Sequence, residues 1–287
     1  MPTIPLTFPF AGNLFLNRFG YGAMRLTGPG IWGPPPDPDA AIAVLREALA
    51  LGINHIDTSD FYGPHTVNQF IRRALHPYPK HLIIVTKVGN RRAPDRSWPK
   101  ALSKDELTFA IHDNLQNFGL ETLDVVNLRV GAREDPLQES IAEPFGVLAG
   151  LQSQGRIRHL GLSNITPAQL TEAQSIAPVV CVQNHYNLAH RADDAFLKAC
   201  AAQGIAFVPY FPLGGFTPLQ SSTLDECARK IGATPMQTAL AWLLQRAPNI
   251  LLIPGTSSLQ HLRENVTAVS LHLPPAIVEE LNQIGNP

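Results

Sequence analysis

Apolar residues come in short runs, each followed by a polar or glycine-bearing loop and then by a segment of helical spacing. The runs at 18–22, 53–57, 82–86, 123–128, 157–162, 179–182, 206–209 and 250–253 predict eight core strands. An earlier stretch, 7–17, has apolar flanks around the turn residues Ala11, Gly12 and Asn13 and predicts a small hairpin. Helices are predicted at 40–50, 67–75, 104–118, 136–154, from Pro167 onward, and at 193–203, 224–231, 235–245 and 259–269, with a last segment at 275–284. Their ends carry recognisable chemistry. Asp37 or Asp39 caps the first helix and Gly52 ends it, Ser103 with Glu106 has capping-box spacing, and Thr166-Pro167 puts proline in a first turn. The stretch 28–38 cannot be regular structure, because Pro34, Pro35 and Pro36 lack amide donors.

Strand and helix alternate throughout, so the expected fold is α/β: one (β/α)8 TIM barrel spanning 1–287 as a single domain, with an N-terminal β-hairpin and extra C-terminal helices. The typical barrel needs about 250 residues, which this chain accommodates. An open doubly wound sheet competes, but it normally carries G-x-G-x-x-G after its first strand, and Gly20-Tyr21-Gly22-Ala23-Met24-Arg25 lacks the third glycine. In a barrel the chemistry sits at the carboxyl ends of strands. Asp57, Lys87, Asn127, Arg129, Ser163, Asn164, Gln183, Asn184 and Tyr210 all fall at such ends.

Composition narrows the class further. Apolar residues make up 45% and charged residues 16%, as in a globular protein with a large core, and a net charge of −1 leaves no footprint for nucleic acid or an acidic membrane. Three widely spaced cysteines, Cys181, Cys200 and Cys227, indicate neither a disulfide frame nor a zinc site. They fit small buried residues in a reducing compartment. No apolar run reaches a membrane span and the first residues lack a signal-peptide pattern, so the expected location is the cytoplasm.

The stretch from Asn54 to Gly63 with the Thr86-Lys87 pair carries the candidate chemistry. A phenol is a weak acid near neutrality. Lys87 supplies a cation that favours the ionised form of Tyr62, and Asp57 fixes the lysine, so the three make a self-consistent acid/base unit. A metal-dependent hydrolase on the same barrel is the competing enzyme class. The ten histidines contain no H-x-H or H-E-x-x-H pair, which speaks against it, and no metal ligand is assigned.

These residues together resemble the aldo-keto reductase signature set. The resemblance rests on Gly52-Ile53-Asn54-His55-Ile56-Asp57-Thr58-Ser59-Asp60-Phe61-Tyr62-Gly63, Thr86-Lys87, Gly161-Leu162-Ser163-Asn164, Gln183, and Ile253 to Ser258 with Glu264-Asn265. It implies a barrel that uses NADPH to reduce aldehydes and ketones without a Rossmann motif. Tyr62 is then the general acid, with Lys87 and Asp57 tuning it. The family's catalytic histidine is missing: by strand register Arg129 takes its place, with Asn127 two residues earlier on the same face. A guanidinium cannot shuttle a proton, but it can orient a substrate oxyanion. The plain alternative for Arg129 is a rim salt bridge to Glu134 or Asp135.

The same resemblance implies the cofactor residues. Ser163, Asn164 and Gln183 bond the nicotinamide carboxamide, Tyr210 stacks on its ring, and Gly22 and Met24 border it. Pro212, Leu213 and Gly215 form the loop at the phosphates, where Phe211 departs from the usual small hydroxylic residue. Gly255, Thr256, Ser257, His261 and Arg263 receive the adenosine end with its 2′-phosphate, and Glu264 with Asn265 reads adenine, Gly255 and His261 standing where the family often has a basic residue.

Met24, Arg25, Ile31, Trp32, Phe61, Trp98, Arg129 and the 216–218 loop are the candidate substrate walls, with Asn127 added by register. Their aromatic and arginine content suits a small flat aldehyde bearing an anionic oxygen. Gly20 to Met24, Ile157 to Gly161, Asn184 to Asn187 and Phe211 to Phe216 resemble a bacterial branch that includes pyridoxal reductases, which implies pyridoxal, reduced to pyridoxine, as first substrate. A general reductase of aromatic aldehydes and a non-catalytic NADPH-binding redox or regulatory subunit are the alternatives.

Overall fold

The computed structural model describes residues 6–12, 14–131, 138–215 and 219–285. Two antiparallel strands, β1 (Thr7–Ala11) and β2 (Leu14–Asn17), form the expected hairpin; Asn13 of its turn lies outside the described residues. Seven parallel strands follow in chain order: β3 (Tyr21–Gly22), β4 (His55–Asp57), β5 (Ile83–Val88), β6 (Leu123–Arg129), β7 (Ile157–Ser163), β8 (Val179–Gln183) and β9 (Ala206–Phe207). The eighth apolar run closes the barrel through isolated parallel bridges, Ile250 to Phe207 and Leu252 to Phe19. Leu251 N–H donates to the Phe207 carbonyl at 2.9 Å, and Gly20 N–H donates to the Leu252 carbonyl at 2.7 Å. The strands flanking this seam are shorter than their apolar runs predicted. The run at 206–209 pairs as a strand only over its first two residues and ends in Pro209, which has no amide to donate.

Strand periodicity sorts the side chains into two cores. On β5, Ile83 and Val85 point into the barrel, and Ile84 and Val88 point to the helices. The inner core joins Ile83, Val85, Val125, Cys181, Val208 and Leu251 to Phe8, Phe10 and Leu16 of the hairpin, so the hairpin plugs the amino end of the barrel. Continuing the same inward alternation places Lys87 at the other end. All three cysteines are buried and free.

The helices are α1 (Pro38–Ala50), α2 (Thr66–Leu75), α3 (Lys104–Phe118), α4 (Ala142–Ser153), α5 (Pro167–Gln174), α6 (Asp194–Ala202), α7 (Ser222–Ile231), α8 (Pro235–Arg246), α9 (Leu259–Val266) and α10 (Pro275–Asn282). Asp37 is the cap of α1, accepting from the amides of Asp39 and Ala40, so the helix begins at Pro38 rather than at residue 40. Ser103 and Thr166 both complete capping boxes. Residues 138–141 are not helical, so α4 starts at Ala142 rather than at 136, a position outside the described residues. Past Val266 the stretch predicted as one helix to residue 269 tightens into a 3-10 turn over Thr267–Ser270.

His55, two residues before Asp57 on the same inward face, lies against Gly20: a Cβ on that glycine would stand 2.1 Å from the imidazole Nε2. Neither ring nitrogen has a hydrogen-bond partner among the described residues, and burial lowers the imidazole pKa to about 4. The unfolded chain therefore takes up a proton near pH 6.5 that the folded chain refuses until about pH 4. Stability held above pH 6.5 is lost as pH falls through that window, by on the order of 3 kcal/mol. Asp60, raised by burial to about 7, acts in the opposite sense because its folded form stays protonated while the unfolded carboxyl ionises. Urea titrations of the chain and of His55→Leu at pH 7 and pH 4.5 isolate the histidine; its share of the loss should vanish in the variant.

Candidate active site

The carboxyl end of the barrel opens into a cavity of about 620 Å³. Asp57 ends β4 and Lys87 lies on β5, where parallel pairing sets the two strand ends side by side. Lys87 Nζ donates to Asp57 Oδ1 at 2.6 Å and to the Thr58 carbonyl at 2.8 Å, while Gln183 Nε2 donates to the other carboxylate oxygen at 2.8 Å. Each of these side chains is almost wholly buried, so both charges are satisfied without water.

Tyr62 follows β4 in a tight turn, its amide bonded to the Ser59 carbonyl at 3.2 Å. The Lys87 ammonium lies 5.1 Å from the centre of the phenol ring. Burial raises the phenol pKa above 10, and Lys87 pulls against that rise without cancelling it. Burial alone would lower the Lys87 pKa; Asp57 and the phenol outweigh it and hold the ammonium above 10.5. At neutral pH the pair is thus an intact phenol beside a firm cation. The turn is braced from behind: Ser59 Oγ donates to the Lys87 carbonyl at 3.0 Å, and Thr58 Oγ1 donates to Asn68 at 3.0 Å. Asn68 and Thr86 both donate to Asn114 Oδ1, at 2.9 and 2.8 Å, fastening α2 and α3 to the strand ends.

Arg129, at the end of β6, also lines the cavity. Its Nη1 donates to Ser163 Oγ at 3.1 Å, and its guanidinium carbon lies 4.9 Å from the Tyr210 ring centre. Glu134 and Asp135, its alternative partners, lie outside the described residues, as does the 216–218 loop. Asn127 sits one layer deeper. It is fully buried, accepts from the Cys181 thiol at 3.2 Å, and fills the space that a Cβ on Gly161 would need, 2.0 Å from its Oδ1. It forms no part of the cavity wall.

Ser163, Asn164, Gln183 and Tyr210 gather at the ends of β7, β8 and β9. Ser163 Oγ reaches Gln183 Oε1 at 3.5 Å, and the Tyr210 hydroxyl donates to Asn164 Oδ1 at 3.0 Å. Gly22, Met24, Pro212, Leu213, Gly215 and Gly255 join Tyr210 in the wall. Thr256, Ser257, His261, Arg263, Glu264 and Asn265 do not. Arg263 is turned to Glu47, with an ion pair of 2.7 Å, and Glu264 accepts from Thr234 at 2.8 Å.

Arg25, Ile31, Phe61 and Trp98 form the remaining wall on the substrate side, whereas Trp32 is not part of it. Asn90 and Met236 also line the cavity and carried no motif in the sequence. The sole signal for Asn90 was position, three residues past Lys87 in a loop at the carboxyl end of a strand, and Met236, inside α8, carried none. Among the described residues, no group of three or more histidine, cysteine or acidic side chains is placed to hold a metal, and no helix is long and apolar enough to cross a membrane.

Comparison with known proteins bears directly on this arrangement. The chain is 62% identical over 276 residues to pyridoxine 4-dehydrogenase of Escherichia coli, covering 96% of each chain. It is 39% identical over 280 residues to an uncharacterized oxidoreductase, C215.11c, of Schizosaccharomyces pombe, covering 96% of this chain and 88% of that one. Among solved structures, the thermostable aldo-keto reductase Tm1743 in complex with epalrestat superposes with a TM-score of 0.82 at 29% identity, over 99% of this chain and 100% of that chain. An aldo-keto reductase from Klebsiella pneumoniae in complex with NADPH has the same fold, with a TM-score of 0.81 at 21% identity over 100% of this chain and 97% of that one. The model of the aldo/keto reductase family matches residues 18–286, and the chain belongs to that family.

Proposed function

We propose that the chain is an NADPH-dependent carbonyl reductase that converts pyridoxal to pyridoxine, with Tyr62 as proton donor. The observation that carries this reading is the buried Tyr62, Lys87 and Asp57 set on the floor of the cavity. The name of the Escherichia coli relative, at 62% identity, supports the choice of substrate.

The donor set suits a dinucleotide. A carboxamide needs both donors and acceptors, and Ser163, Asn164 and Gln183 supply hydroxyl and amide groups side by side. Tyr210 offers an aromatic face, and the wall from Pro212 to Gly255 continues toward the N-terminus of α9, where backbone amides favour an anion. When bound, NADPH supplies the hydride that goes to the carbonyl carbon. Tyr62 gives its proton to the carbonyl oxygen as the new C–H bond forms, and Lys87 stabilises the phenolate left behind. Asp57 and Gln183 keep the lysine charged and aimed. The phenol then recovers its proton from solvent. Burial keeps Tyr62 protonated at rest, so near neutrality the phenol stands ready as a proton donor.

Arg129 takes the place of the family's histidine as the group that steadies the substrate oxygen or an anionic substituent beside it. A charge-assisted hydrogen bond contributes about 1.5–3 kcal/mol. Arg129→Met should therefore lower kcat/KM for pyridoxal by about 10- to 100-fold and leave NADPH affinity within about threefold of wild type. Unchanged turnover and affinity for pyridoxal would remove Arg129 from the mechanism. The apolar wall of Phe61 and Trp98 favours a second reading, a reductase of aromatic aldehydes in general. A panel of aldehydes that includes pyridoxal, followed by NADPH absorbance, separates the two by whether pyridoxal is preferred.

A further inference from the structure

We propose that Arg92, which forms no part of the cavity wall, is a positioning residue that holds the substrate-side wall and selects flat aromatic aldehydes over small aliphatic ones. Two loops meet there, one after β3 and one after β5. Each is tied to itself: Gly28 N–H donates to the Gly33 carbonyl at 3.0 Å, and Arg91 N–H donates to the Pro99 carbonyl at 3.0 Å. Arg92 links one to the other. Its Nη1 donates to the Ile31 carbonyl at 3.0 Å and its Nη2 to the Gly30 carbonyl at 3.2 Å. The same guanidinium packs on two indoles, with its carbon 4.1 Å from the Trp98 ring centre and 5.3 Å from that of Trp32.

Most of the contacts of Arg92 belong to the wall. Gly30, Ile31 and Trp98 line the cavity, and Trp98 meets Phe61 edge-on at 5.4 Å, with Phe61 in turn edge-on to Tyr62 at 5.5 Å. Ile31 stands at φ 57, a left-handed conformation that is costly for a β-branched residue and persists only where its surroundings impose it. That conformation presents the Ile31 carbonyl to Arg92 and buries its side chain, 8% exposed, in the wall. A planar fork that hydrogen-bonds two carbonyls while stacking on indole is a task lysine cannot take over. Trp98 is 40% exposed, and its ring is held between the Arg92 guanidinium and the edge-on Phe61 ring.

This inference rests on the reductase reading, and the test separates the two. With Arg92→Met, KM for pyridoxal should rise about tenfold while kcat and NADPH affinity stay within about twofold, because the chemistry is untouched and only the fit of the ring is lost. The ratio of kcat/KM for pyridoxal to that for propanal should fall about tenfold, and Arg92→Lys should not restore it. Should Arg92→Met fail to fold, Arg92→Gln, which keeps a single amide for the two carbonyls and leaves both indoles without the stacked guanidinium, is expected to lose the same selectivity. A folded variant of either kind that keeps the wild-type ratio overturns the proposal, as does a parallel loss of kcat and NADPH affinity. If the wild type reduces no aldehyde, the reductase reading fails, and the brace is then judged by acrylamide quenching of tryptophan emission. Trp242 is 1% exposed, so quenching reports Trp32 and Trp98 and should increase in Arg92→Met; equal quenching counts against the brace.

Discussion

Replacing Tyr62 by phenylalanine is expected to lower kcat for aldehyde reduction by about 10²- to 10⁴-fold, the range a positioned proton donor supplies. The substitution removes one hydroxyl and keeps the ring, so the edge-on contact with Phe61 and the packing beneath it survive. NADPH binding should change little. The loss therefore belongs to kcat, and KM should stay close to its wild-type value. In the wild type, burial keeps the phenol protonated past its ordinary value of 10, so kcat for reduction should run level from neutral pH to beyond that point. Stopped-flow traces of NADPH consumption for both proteins, taken across that pH range, check the rate and the profile together. A Tyr62→Phe enzyme with wild-type kcat would mean that another group donates the proton.

The second large effect is expected at Lys87, where stability and activity fall together. Lys87→Met leaves the Asp57 carboxylate buried, with the Gln183 amide at 2.8 Å but no counter-charge. Breaking a buried pair from one side costs about 3–5 kcal/mol. Urea unfolding at pH 7 should show a loss of that order. The same substitution removes the one effect opposing burial that outweighs the others at Tyr62, so the phenol becomes a weaker acid and kcat drops by at least about 100-fold. The stabilising share has a defined pH window. Lys87 is held above its unfolded value of 10.5, so the contribution is complete below pH 10.5 and is lost as pH rises through the folded value. The wild type should therefore lose stability relative to Lys87→Met only in strong alkali. A variant as stable as wild type at pH 7 would contradict the buried-pair account.

How much of this could be read from the chain depends on how local the cause is. Asp57 and Lys87 were legible because each ends an apolar run, and parallel pairing of β4 with β5 brings such ends together. The caps at Ser103 and Thr166 were legible because a capping box is closed within four residues. Trp32 and Asn127 show the limit. Sequence register places Asn127 on the inner face, as it is, but cannot say that Gly161 yields the space that keeps it one layer below the cavity. Trp32 follows Ile31 in a loop, and only the left-handed turn at Ile31 decides which of the two faces inward. Arg92 carried no motif, because its meaning lies in carbonyls some sixty residues earlier in the chain. Arg263 was expected near a phosphate, yet it meets Glu47, more than two hundred residues away in sequence. Contacts of that kind arise from packing between distant segments, and no local pattern announces them.

The most direct measurement mixes the purified wild-type chain with NADPH and pyridoxal, follows the loss of reduced-nicotinamide absorbance, and identifies the product by NMR. The expected result is one pyridoxine formed for each NADPH consumed, with pyridoxal preferred to the other aldehydes of the panel. NADPH left unconsumed with pyridoxal and with every other aldehyde would contradict the account at its centre.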